Sequence, residues 1–394
     1  MRHHNMTKKI DTGFIDKPHS FDELADLAGK YAGGDNDKLP QWKKDLFQFI
    51  LHWTDSSDYL EVRTSGSTGM PKLMRHPKAS MLASARMTCD FLRLQPDMNA
   101  LLCLSTRNIA GMMMVVRAVE RKMNIIAVPP DGHPLKHVSP DLPIHFGAMV
   151  PAQVYNCLRD RDSEYRKMNR LVEDATADCR IENLLVGGAP VSFPLQQEIR
   201  KLKNNVYSTF GMTETMSHVA LCRLTGPDWS DQYTALEGIT IATGEKGNLL
   251  LDVPFLENPH VVTNDMIEIT GERTFRWLGR LDHVINSGGH KIYPEAVENA
   301  IAPLMNDRFN SPLSTQRYFI AGVPDEKLGE RPVLVVEDFE ERISRKVLVP
   351  VWLRDELSEV LKGHEVPREI WYVAGFIETP TGKIIRGESL KGCC

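Results

Sequence analysis

Residues Thr64 to Lys72 read TSGSTGMPK, which packs four hydroxyls, two glycines and a lysine into one short turn between apolar runs. That composition suits a polyphosphate. Gly66 and Gly69 let the backbone take positive φ and approach a ligand closely. Thr64, Ser65, Ser67 and Thr68 add neutral donors, and Lys72 adds a point charge. A flexible Ser/Gly loop has the same composition. Two neighbours argue against that reading. Tyr59 to Val62 (YLEV) reads as a short strand feeding the turn, and Pro71-Lys72 stiffens its exit. The loop has neither the GxxxxGK[ST] spacing of a Walker loop nor the GxGxxG of a dinucleotide fold.

Upstream, Phe21, Leu24 and Leu27, then Trp42, Leu46, Phe49 and Ile50, fall at helical spacing and predict two helices with one apolar face each. Downstream, Ser80 to Leu94 has helical spacing. Ala100 to Leu104 and Ile125 to Val128 read as buried strands, and a Met-rich helix lies between them. Strands alternating with helices predict parallel βαβ units, with ligands at the carboxyl ends of strands. Arg107 and Asn108 stand at such an end. An arginine there is either a surface residue or a bidentate fork for a carboxylate. Leu184 to Pro190 (LLVGGAP) repeats the pattern, with a Gly-Gly turn where a planar group could lie against bare backbone.

Three further blocks carry chemistry. In Ser208 to His218 (STFGMTETMSH), Glu214 is flanked by the hydroxyls of Thr213 and Thr215, a set suited to Mg²⁺, a hard cation that travels with phosphates. A solvated turn is the alternative, and His218 reads either as packing or as a substrate-lining residue. In Thr263-Asn264-Asp265 and Trp277 to Asp282, Asp265 can accept from two vicinal hydroxyls, as a ribose presents them, and Arg280 can donate to the same sugar. Ser287 to Lys291 is a glycine turn, after which Pro294 opens a helix. Near the end, Glu378 to Arg386 reads ETPTGKIIR, with Lys383 between a glycine and an apolar pair.

From Thr64 to Arg386 these blocks resemble, in content and order, those of the adenylate-forming superfamily, which holds acyl-CoA synthetases, firefly luciferase and the adenylation domains of peptide synthetases. The resemblance implies ATP, Mg²⁺ and CoA as ligands. Thr64 to Lys72 would hold phosphates. Gly188, Ala189 and Pro190 would border the adenine, with Phe210, Gly211 and Met212 beside it. Thr213 would contact a phosphate, Glu214 the metal, and Asp265 and Arg280 the ribose. Asp282 matches the hinge, Gly288 and Gly289 the turn that meets the pantetheine of CoA, and Lys383 the lysine that reaches the acyl phosphate. Members of the superfamily carry an additional subdomain before the phosphate loop, and only a short helical region stands there in this chain. The contacts of that subdomain are expected to be absent or replaced. The runs LSTRNIAG, MVPAQV and GMTETMSHVALCRL resemble the compact o-succinylbenzoate:CoA ligases of menaquinone biosynthesis, whose dicarboxylate substrate would suit Arg107, Asn108 and His218 as acid-binding residues.

The fold expected is α/β, with a large N-terminal domain over residues 1–281 and a small α+β C-terminal domain over 282–394 that moves on the hinge. With 394 residues, more than one domain is expected in any case. A net charge of -5 without a basic stripe gives no reason to expect nucleic acid. No apolar run reaches the roughly 18 residues of a spanning helix, and the basic start MRHHNMTKKI leads into no hydrophobic segment. Of the seven cysteines, Cys89, Cys103, Cys157, Cys179 and Cys222 lack ligand spacing and read as reduced core thiols of a cytoplasmic protein, and Cys393-Cys394 read as an exposed tail with a liability to oxidise. A loader of acyl or aminoacyl groups onto a carrier protein is one alternative function. A non-catalytic nucleotide binder is the other, and Lys383 argues against it.

Overall fold

Both N-terminal helices form where the apolar spacing places them. Helix α1 (Phe21–Ala32) buries Leu24 and Ala28 and starts in a reciprocal cap between Ser20 and Glu23; α2 (Gln41–Thr54) buries Leu46, Phe49 and Ile50. The computed structural model describes residues 17–32, 39–63, 73–159, 180–307, 317–338, 345–378 and 384–391. Strands β1 (Tyr59–Arg63) and β2 (Leu73–Pro77) pair antiparallel with Arg63 opposite Leu73, so the TSGSTGMPK segment joins adjacent strand ends. The segment itself lies outside the described residues.

After α3 (Lys78–Phe91) the alternation is regular: β3 (Asn99–Leu102), α4 (Ile109–Arg121), β4 (Asn124–Ala127), β5 (Ile144–Met149), α5 (Pro151–Arg159), β6 (Ile181–Val186), α6 (Phe193–Arg200) and β7 (Asn205–Gly211). The five strands lie parallel in the order β4-β3-β5-β6-β7. Strands β3, β4 and β6 bury nearly every residue, as parallel strands covered by helices do, whereas β7 (NVYSTFG) is half-buried along most of its length. Leu101, Ile126, Ile144, Ile181, Leu184 and Val206 form the core. Strands β8 (His218–Arg223) and β9 (Gln232–Ala235) extend the sheet antiparallel.

Four further strands, β10 (Thr240–Thr243), β11 (Asn248–Asp252), β12 (His260–Ile269) and β13 (Thr274–Arg280), run as an antiparallel meander. Then follow β14 (Ile285–Ser287), β15 (His290–Ile292), α7 (Pro294–Asp307), β16 (Tyr318–Asp325), β17 (Gly329–Glu337), β18 (Arg345–Leu348), α8 (Val351–Val360), β19 (Glu369–Val373) and α9 (Arg386–Lys391). The period-2 alternation splits β16 and β17 between two cores. Ile320, Leu334 and Val336 pack with Val297, Ile301, Leu353 and Leu357 of α7 and α8. Phe319, Val333 and Val335 pack with Phe376, Ile384 and Leu390 on the opposite face.

Packing groups the residues around β13 and the chain beyond it into one compact unit. One compact unit holds residues 1–191, 195–239 and 253–259, and the other holds 192–194, 240–252 and 260–394. The local reason is that α7 lies on β13. Gly279 has φ +144° and lets Glu295 approach so closely that an added Cβ would collide with its carboxylate. No described helix is long and apolar enough to cross a membrane.

Candidate functional site

In the first unit, the carboxyl ends of β6 and β7 lie side by side, with Val186 paired to Ser208. Beyond β6 the chain turns at Gly188, whose φ is +83°, and Gly188, Ala189 and Pro190 are exposed there. Phe210, near the end of β7, is half-buried with its ring edge-on to Tyr233 at 5.6 Å between centroids. At Gly211 the register with β8 shifts, and the backbone of Ser217 and His218 comes closer than 3.0 Å to where a Cβ would stand. Only glycine fits that crossing.

The next residues close a single 3-10 turn, Thr213–Thr215. Thr215 is buried, and its hydroxyl bonds inward to the carbonyls of Met212 and Ser217 at 3.0 and 2.7 Å. The turn ends at Met216 with φ +61°, a strained value for a side-chain-bearing residue. The expectation that both flanking hydroxyls accompany Glu214 is therefore corrected to Thr213 alone. Glu214 itself is exposed, and its carboxylate has no ion pair among the described residues. Its charge reaches His76 on β2, where burial lowers the imidazole pKa and Glu214 opposes the shift. The strand leaving the glycine loop and the acidic turn are thus neighbours. His76 Nε2 is buried without a partner among the described residues.

Arg107 is not delivered into an interior. It is exposed beyond β3, as is Asn108. The buried cation stands ten residues further on. Arg117, on the inner face of α4 with Met113 and Met114, is 2% exposed. Its Nη2 donates to Ser217 Oγ at 2.5 Å and lies 3.4 Å from His218 Nδ1. No carboxylate among the described residues pairs with it, and its Nε has no partner there. Burial brings its pKa down to about 10, so it stays charged at neutral pH. His218 is buried as well, with Nε2 2.9 Å from Thr88 Oγ1. Burial, then the Arg117 charge, hold its pKa well below the usual value and keep it neutral. A buried guanidinium without a counter-anion is costly unless an anion visits it. Sequence reading missed Arg117 because it sits in an apolar helical run; its spacing of i+3 from Met114 was the available signal.

In the second unit, Asp265 and Arg280 face each other across β12 and β13. Trp277 Nε1 donates to Asp265 Oδ1 at 3.0 Å, and Arg280 Nη1 lies 3.7 Å from the same oxygen. Asp265 Oδ2 has no hydrogen bond among the described residues and can accept from a diol. Burial raises the Asp265 pKa, against the hydrogen bond from Trp277 and the Arg280 charge. Asp282 sits in the turn Leu281–His283 with Oδ1 3.3 Å from Arg280 Nε. Gly288 and Gly289, with φ +57° and +84°, make the tight turn between β14 and β15. Next to it the His290 ring stacks on His364 at 4.3 Å. Lys383 lies outside the described residues, while Glu378 and Ile384 on either side of its segment form an antiparallel bridge.

A family profile described as AMP-binding enzyme matches residues 60–243. A 2-succinylbenzoate–CoA ligase of Haemophilus influenzae is 27% identical over 341 residues, covering 80% of this chain and 69% of that one. The chain spans about two thirds of the length of the curated relatives it matches. The O-succinylbenzoate Coenzyme A synthetase of Bacillus subtilis, solved with ATP and magnesium ion, shares the fold: its TM-score is 0.63 at 18% identity, covering 84% and 69% of the two chains. An acyl-CoA synthetase (AMP-forming)/AMP-acid ligase II-like protein from Dyadobacter fermentans is 32% identical with a TM-score of 0.58, covering 94% of this chain and 98% of that one. With a match over nearly the whole of both chains, the chain belongs to the AMP-binding enzymes, as one of the AMP-forming acyl-CoA synthetases.

Proposed function

We propose that this enzyme is an ATP-dependent o-succinylbenzoate:CoA ligase of menaquinone biosynthesis, working in the cytoplasm. The observation that carries the choice of acid is Arg117, a buried charge that lacks a carboxylate of its own. An acid with a second, non-reacting carboxylate supplies one, received by Arg117 and by the half-buried Ser217 beside it.

A carboxylate acylates poorly because oxide would have to leave. Its oxygen therefore attacks the α-phosphorus of ATP, the bond to the bridging oxygen breaks, and pyrophosphate departs. Negative charge gathers on the phosphoryl oxygens, so the protein must present fixed donors and cations. Thr64, Ser65, Gly66, Ser67, Thr68, Gly69 and Lys72 are assigned to the phosphates, with Thr213 beside them and Lys383 at the acyl phosphate. Gly188, Ala189, Pro190, Phe210, Gly211 and Met212 are assigned to the adenine, and Asp265 and Arg280 to the ribose. Mg²⁺ would be held by Glu214, whose carboxylate is exposed and unpaired among the described residues, and would supply neutralising charge for the phosphates.

In the second step the thiol of CoA attacks the acyl carbon and AMP leaves. Rotation of residues 282–394 on Asp282 would replace Lys383 by the turn at Gly288 and Gly289, so both steps share one cleft. The test is ATP-dependent pyrophosphate release across a panel of acids, with and without CoA. Release with o-succinylbenzoate, and AMP with thioester only when CoA is added, is expected. Turnover confined to fatty or amino acids would overturn the assignment of the acid, and thioester formation on a carrier protein but not on CoA would overturn the acceptor.

A further inference from the structure

Arg386 stands three residues beyond Lys383 and is gripped by two carboxylates of α7. Its Nη1 donates to Glu298 Oε1 at 2.8 Å and its Nη2 to Glu298 Oε2 at 3.0 Å, a two-pronged pair, and Nη2 also lies 3.2 Å from Glu295 Oε1. The same guanidinium donates to the Ile320 carbonyl at 3.0 Å, and the Ile320 N–H donates to Glu298 Oε1 at 2.7 Å. Glu295 is shared in turn. His283, next to Asp282, bonds its Oε1, and its Oε2 is buried without a partner among the described residues, against Gly279 of β13.

A continuous run of hydrogen bonds and ion pairs therefore leads from His283, in the turn holding Asp282, through Glu295 to Arg386. On the near side of the lysine segment, Glu378 pairs with Arg317, whose Nε and Nη2 bind Glu337 at 2.7 and 3.2 Å. The side chains of Arg386, Glu295 and Glu298 are only 16%, 10% and 18% exposed. Apolar residues of similar volume would stabilise such a site as well or better, so stability alone does not account for buried ions here.

The geometry points to Glu295, Glu298 and Arg386 as positioning residues that fix the start of α9, just after the lysine segment, to α7 and, through His283, to the turn carrying Asp282, so that hinge and lysine move together. This rests on the assignment of Lys383 to adenylation.

Three variants are compared with wild type in two separate assays, ATP-dependent pyrophosphate release with o-succinylbenzoate and transfer from supplied o-succinylbenzoyl-adenylate to CoA. Glu298→Gln is expected to lower kcat of the first by about 100-fold, as for a misplaced catalytic group, while the KM for ATP and the second assay stay within about threefold. Arg386→Lys, which keeps the charge and loses the fork, shows the same split and is measured whether or not Glu298→Gln folds. Glu298→Asp restores part of the rate. Equal loss in both assays, or no loss in either, overturns the positioning role. Lys383→Ala is the control. If it leaves adenylation intact, or if wild type releases no pyrophosphate, the reading beneath has failed and this one fails with it. If Lys383→Ala behaves as assigned and the other variants show no split, only the positioning role has failed.

Discussion

Replacing Arg117 with methionine should move stability and activity in opposite directions. The guanidinium is fully buried, and its pKa is brought from 12.5 to about 10 chiefly by burial. At 1.36 kcal/mol for each unit, keeping that charge costs the folded chain about 3 kcal/mol. Methionine removes the charge and loses the 2.5 Å hydrogen bond from the guanidinium to Ser217, worth about 1.5 kcal/mol net, the lower end for a bond to a charged group. His218 keeps its bond with Thr88. The variant is therefore expected to be more stable by about 1–2 kcal/mol, read as a rise of about 2 °C or more in the thermal midpoint. Activity falls because a charge-assisted bond to the non-reacting carboxylate, worth about 1.5–3 kcal/mol, is gone. That converts to a loss of about 10- to 150-fold in kcat/KM for o-succinylbenzoate. Pyrophosphate release with a monocarboxylic analogue lacking the second carboxylate should hardly change. A less stable variant that loses both acids in equal measure would refute the reasoning, since Arg117 would then be a structural ion.

Wild-type stability should fall below about pH 6.5, by up to about 1.4 kcal/mol per pH unit, because the unfolded chain protonates His218 while the folded chain, whose imidazole pKa is lowered, does not. His218→Gln should flatten that slope in urea midpoints measured between pH 7.5 and 5. Gly211→Ala, which drives a Cβ into the backbone of Ser217 and His218, should destabilise by more than about 3 kcal/mol. Gly289→Ala meets nothing within 4 Å and should lose about 1–2 kcal/mol through its positive φ alone, so denaturant midpoints should rank the two. Asp265→Asn keeps the acceptor for Trp277 and loses the charge facing the ribose, so the KM for ATP should rise about tenfold with unfolding unaffected.

Much of the fold was legible because it rests on short-range pattern. Apolar runs of strand length alternating with helical spacing led to β3, β4 and β6, and the glycine-rich stretches led to β1 feeding its turn and to the β14-β15 turn, while β2, β5 and β7 carry too few apolar residues in sequence to stand out. What the sequence left open has a common cause in side-chain direction and long-range contact. Arg107 and Arg117 are alike as letters, but Arg107 stands in the exposed turn before α4, whereas the helix carries Arg117 on its buried face. Thr213 and Thr215 flank Glu214 symmetrically in sequence, yet the crossing at Gly211 winds a 3-10 turn that sends one hydroxyl in. The packing of Glu295 on Gly279 joins positions 16 residues apart, and no local pattern announces that α7 belongs with β13.

The two-sided sheet of β16, β17 and β19 has a practical consequence for chimeric enzymes. Phe376 before the lysine segment and Ile384 and Leu390 after it line the second core, with Phe319, Val333 and Val335 opposite. A donor's lysine segment grafted with these flanks onto a foreign sheet would import half of a hydrophobic interface. Crossover points for recombination therefore belong upstream of β14, where the whole sheet travels as one cassette.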